Sequence, residues 1–97
     1  MLITLYRTDD VGRIDYYTIT DRQGHLFAPY SLTVSWGRAM SAGREKSYVF
    51  DSRAQMDAKL RQLIRTRVSR GYRVLYTFFR NHDYDHLRPA LKRVSVS

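Results

Sequence analysis

The sequence predicts an α+β fold, an antiparallel β-sheet of about five strands with one amphipathic helix packed on one face. Three observations carry this expectation. Several short stretches alternate apolar and polar residues with the two-residue period of a half-buried strand. One later stretch repeats apolar residues at helical spacing behind a capping signal. A chain of 97 residues also suffices for one modest core between two layers.

Residues 2–7 form the first expected strand, with Ile3 and Leu5 on one face and Thr4 and Tyr6 on the other. Thr8-Asp9-Asp10-Val11-Gly12 is a turn-rich connection. Residues 15–20 are aromatic and β-branched, which suits a pleated surface, and Tyr17 and Ile19 are expected to face the core. Asp21-Arg22-Gln23-Gly24-His25 reads as a loop, and Pro29 marks the entry to the next strand. In residues 31–38, Ser-Leu-Thr-Val-Ser-Trp-Gly-Arg, Leu32, Val34 and Trp36 alternate with Thr33 and Ser35. Gly37 ends that run where a Cβ would hinder a turn, and Arg38 sets a cation beside the indole.

Ser41, Ala42 and Gly43 turn the chain, and residues 45–50 resume alternation with Tyr48 and Phe50 on one side. Residues 53–70 are the helix. Ser52 and Gln55 read as a capping box, and Met56, Leu60, Leu63, Ile64 and Val68 form its apolar stripe. Gly71 fits a left-handed C-cap, and residues 72–79 form the last strand. The domain is thus expected over residues 1–80, with residues 81–97 a C-terminal extension, either a short helix or a flexible tail.

The charge is uneven. Residues 1–50 hold six Lys/Arg against five Asp/Glu, whereas residues 51–97 hold eleven against four, which makes up the net +8. A basic half on a small domain suggests a polyanionic partner, most often nucleic acid. Cysteine is absent, so disulfides and thiolate metal sites are excluded. The start of the chain lacks the pattern of a secretory signal, and no apolar run approaches a membrane span, so a cytoplasmic location is expected. No glycine-rich phosphate loop is present, and no nucleophile set is recognisable by spacing. Neither catalysis nor a cofactor is expected. His82-Asp83-Tyr84-Asp85-His86 places two histidines four apart, yet no third ligand is set by any pattern, and a polar loop is the expectation.

Trp36-Gly37-Arg38 at the end of an alternating strand resembles the signature of the WGR domain. Further anchors follow in order: Tyr16-Tyr17 on the preceding strand, Gly43 in the next turn, Phe50 and Asp51-Ser52 before the helix, and Arg70-Gly71-Tyr72 after it. The resemblance spans about residues 14–76. It implies an antiparallel sheet with a packed helix and a role in DNA binding, best known from the DNA-dependent poly(ADP-ribose) polymerases. By position it assigns to Trp36 the ring that packs on the sugar at a DNA strand end, and to Arg38 a contact to partner domains. Ile14 stands where the polymerases carry an asparagine and Thr20 where they carry a glutamine, while Arg67 replaces a favoured lysine.

Strict alternation puts Trp36 on the face of Leu32 and Val34 and so favours the core. The resemblance favours the rim, which a bulge at the strand end would reach. Arg61 and Arg65 project opposite the apolar stripe as a solvated ridge. Arg67 falls inside the apolar arc and must snorkel or meet a partner. With Arg70 and Arg73 it is expected to form a phosphate-facing cluster at the helix end. The expected function is therefore DNA binding at ends or breaks, largely without sequence preference, through Trp36, Gly37, Arg38, Arg67, Arg70 and Arg73. The alternative is a protein-interaction adaptor docking through Trp36, Gly37 and Arg38, with Arg38 as a hot spot.

Overall fold

The computed structural model describes residues 1–21, 30–39, 41–79, 86, 87 and 91. Along the chain come β1 (Leu2–Thr8), β2 (Ile14–Thr20), β3 (Ser31–Arg38), β4 (Arg44–Val49), α1 (Arg53–Ser69) and β5 (Arg73–Phe78). The five strands form one antiparallel sheet in the order β4-β3-β2-β1-β5. The α+β architecture matches the expectation from sequence, with β4 starting one residue earlier and β5 slightly shorter.

Strand alternation sorts the side chains. Ile3, Leu5, Tyr17, Ile19, Leu32, Val34 and Val74 point to one face and are buried there. That face receives Met56, Leu60 and Ile64 of α1, while Leu63 and Val68 lie half-buried at the margin of the same stripe. The connection from β4 to β5 carries the chain from one sheet edge to the other. A 17-residue helix is about 25 Å long, enough to cross five strands spaced about 4.8 Å apart. This crossing brings the C-terminal end of α1 over β1 and β2.

Both ends of α1 are capped by identifiable bonds. The Ser52 hydroxyl accepts from the Gln55 N–H at 3.2 Å. The Gln55 side chain reaches back one residue further than in a standard capping box and accepts from the Asp51 N–H at 3.0 Å. At the other end Gly71 takes φ +91°, the Gly71 N–H donates to Val68 and the Tyr72 N–H donates to Arg67. These are the two bonds of a Schellman motif.

Leu87 and Leu91 of the C-terminal extension are buried in the same core as the sheet and α1. These two residues are therefore part of the folded unit. His86 beside Leu87 lies against the Arg61 and Asp57 side chains, while Arg61 and Arg65 are exposed, as expected of the solvated ridge. The rest of the His82 to His86 motif lies outside the described residues. Among the described residues no helix is long and apolar enough to cross a membrane.

Candidate nucleic-acid interface

Trp36 sits in unbroken register, opposite Tyr17 on β2 and Arg44 on β4. No bulge redirects it. Its ring stays on the face of Leu32 and Val34, packs against the edge of the core and is half-buried. The Tyr17 ring lies 6.5 Å away at 30°. Alternation and rim exposure thus hold together, because β3 runs out just past the end of the core.

Gly37 is required by what lies on the other face. A Cβ there would stand 2.9 Å from the Gly43 Cα and 3.2 Å from the Tyr16 hydroxyl. A Cβ at Gly43 would run into that hydroxyl and come within 2.9 Å of the Trp36 carbonyl oxygen. The Tyr16 ring therefore lies across two facing glycines, and the strand pair beside Trp36 closes only because both lack side chains.

Arg38 is held within the protein. The register aligns Arg7, Asp15 and Arg38 in one row across β1, β2 and β3. Asp15 accepts from Arg7 at 3.1 Å and from Arg38 at 3.1 Å. Asp9 lies 3.7 Å from the Arg38 guanidinium and also closes the β1–β2 turn by accepting from the Val11 and Arg13 N–H groups. The Arg7 hydrogen bond, aided by Arg38 and opposed by desolvation, holds the Asp15 carboxyl below its ordinary range. Arg7 also donates to the Arg70 carbonyl at 2.9 Å, setting a cation on the negative end of α1.

Arg67 meets its partner in an aromatic face. Its guanidinium lies 4.1 Å from the Tyr17 ring centroid and 5.6 Å from that of Tyr72. A Schellman motif usually carries an apolar contact between these two positions, and here a cation–π contact takes its place. Burial pushes the Tyr17 phenol up, and the neighbouring Arg67 offsets part of that rise. Arg67 is half-buried one ring away from Trp36.

The expected cluster of three arginines is divided between two faces. Arg70 is exposed at the helix C-cap. Arg73 pairs with Tyr6, next to the buried pair of Leu5 and Val74, so alternation sends it to the sheet face away from α1. The cations on the Trp36 face are instead Arg44, opposite Trp36, and Lys46, opposite Val34. Lys46 and Lys59 each set an ammonium within 5 Å of the Tyr48 ring centroid. Among the described residues Arg44, Lys46, Lys59 and Arg67 have no ion-pair partner.

Sequence reasoning missed Arg7, Asp15 and Arg44 at this site. A signal existed in the short turn between β1 and β2, which pairs Arg7 with Asp15 once the hairpin is closed. Among the described residues no group of three His, Asp or Glu side chains could hold a metal.

No match to the chain is found among curated proteins or among solved structures. The model of the WGR domain family matches residues 1–79, which takes in the whole sheet, α1 and the Trp36 rim. WGR domains are binding modules typically associated with nucleic acid. On that match, and on the sheet-and-helix fold that presents its Trp-Gly-Arg at the end of β3, the chain belongs to the WGR domain family.

Proposed function

We propose that this chain is a non-catalytic module that binds DNA, at ends or breaks, largely without sequence preference. The observation that carries the reading is the half-buried Trp36 ring at the rim of the core near the end of β3, bordered by Arg44, Lys46 and Arg67, which have no ion-pair partner among the described residues. A terminal sugar or base packs on the indole, while Arg44, Lys46 and Arg67 attract the phosphates on either side. Arg38 braces the site from beneath, because Asp15 and Asp9 hold it. The adaptor alternative asks Arg38 to face a partner protein, which those two ion pairs oppose. That reading is the weaker one.

Titration of fluorescently labelled linear, nicked and covalently closed duplexes at several salt concentrations tests the proposal. Binding that weakens steeply with salt, and is tighter for linear and nicked DNA than for the closed duplex, supports it. Equal affinity for all three forms would remove the end preference. Absence of salt-dependent binding would sink DNA binding altogether.

A further inference from the structure

The sheet face turned away from α1 is nearly free of charge, in a chain whose net charge is +8. Among the strand residues on this face, Arg73 on the β5 edge is the one cation and Glu45 on the β4 edge the one anion. Between them the surface carries hydroxyls, including Thr18 on the central strand β2, and tyrosine rings. Its β5 side exposes Tyr76 and Phe78 at 52% and 49%, and Leu75, unpaired at the register shift beside them, is 59% exposed. Exposed aromatic and aliphatic side chains gathered at one sheet edge mark an interaction surface.

We propose that this face packs against the same face of a second copy of the chain, forming a two-fold dimer. Charge selects the occupant. A phosphate backbone finds one arginine here, whereas Arg44, Lys46, Lys59 and Arg67, which have no ion-pair partner among the described residues, stand on the α1 side. Two copies repel through most of their basic surface, but this face is neutral and opposes no like charges. Its two charges are also placed for a self-complementary, isologous contact. A two-fold axis parallel to the strands lays β4 of one copy over β5 of the other. Glu45 then lies one register row, about 7 Å along the strand, from the partner's Arg73, within reach of an arginine side chain. Five strands of about six residues present roughly 24 by 20 Å, so the pair buries on the order of 1,000 Å² in all. That is the lower bound for a specific interface and implies a reversible dimer of micromolar affinity. The dimer does not depend on DNA binding and leaves the Trp36 rim free.

Sedimentation equilibrium of the 97-residue chain at about 10–200 μM tests this. A monomer–dimer equilibrium is expected whose affinity holds or rises with salt, since screening removes the general repulsion. Thr18→Arg places two cations face to face at the axis and should weaken dimerisation at least ~10-fold, as should Tyr76→Glu. Glu45→Arg and Arg73→Glu should each weaken it, and the double exchange should recover most of the loss. Circular dichroism and a cooperative thermal transition verify that each variant folds, with Phe78→Ser standing in for any that does not. A chain that stays monomeric throughout, a dimer indifferent to Thr18→Arg and Tyr76→Glu, or a double exchange no better than either single change would overturn the proposal. So would a monomeric chain in which Tyr76→Glu abolishes DNA binding, which would give the face to nucleic acid.

Discussion

The tightest geometry lies at Gly37 and Gly43, where the Tyr16 ring crosses two strands. Gly43→Ala forces a methyl group against the Tyr16 hydroxyl and should cost about 1–3 kcal/mol by overpacking. Tyr16→Phe in that background removes the clashing oxygen and should recover part of the loss; denaturant midpoints of the three variants measure this. Asp15 gives a pH dependence whose sign follows from Arg7 and Arg38. Its carboxyl is held below the ordinary value, so its ionised form stabilises the folded state above about pH 4, and that stability is lost as pH falls through the lowered value. Asp15→Asn should therefore lower the thermal midpoint at neutral pH and flatten its decline between about pH 5 and pH 3. For Trp36, replacement by alanine should weaken end binding by about 1–3 kcal/mol. Its cost in stability should stay below the roughly 3–5 kcal/mol of a fully buried ring. Because Trp36 is the sole tryptophan, its fluorescence should respond to DNA ends. An unresponsive ring would place the contact elsewhere.

Within α1 the apolar stripe is graded. Leu60 is wholly buried, whereas Leu63 lies half-buried at the margin. Leu60→Ala should cost about 2–5 kcal/mol and Leu63→Ala clearly less, as read from thermal unfolding. Equal losses would mean that the helix is rotated about its axis. The helix also positions Arg67 by way of its own terminus. The Schellman turn brings Tyr72 back beside Arg67, and the crossing angle of α1 sets that guanidinium over Tyr17. A capping motif that usually ends a helix with an apolar contact thus delivers a positive charge to the Trp36 rim.

On the whole molecule the two sheet faces divide the chemistry. The α1 face is buried at its centre and cationic around Trp36, while the opposite face is neutral. Charge neutralisation separates them. Changing Arg44, Lys46 and Arg67 together to glutamine should shallow the salt dependence of DNA binding by up to about 0.9 in slope per lost contact. Changing Arg67, Arg70 and Arg73 should shallow it less, because Arg73 stands on the other face. A larger effect from the second trio would relocate the phosphate path to the helix end and β5.

Much of this fold is legible along the chain, because strand alternation and helical spacing are relations between near neighbours. Five strands, one helix, the Ser52 cap, the Gly71 turn and the inward direction of Tyr17 and Ile19 follow from periodicity and cap chemistry. The Trp-Gly-Arg signature and its spaced companions likewise mark the family along the chain itself. Tertiary structure alone decided which of these residues lie side by side. Hairpin register aligns Arg7, Asp15 and Arg38 in one row, and so ties the partly exposed motif arginine to Asp15. The crossing of α1 placed Arg67 on Tyr17, while the pairing of β5 with β1 sent Arg73 to the far face. Register and crossing are set by contacts between residues far apart in sequence, and local periodicity carries no record of them.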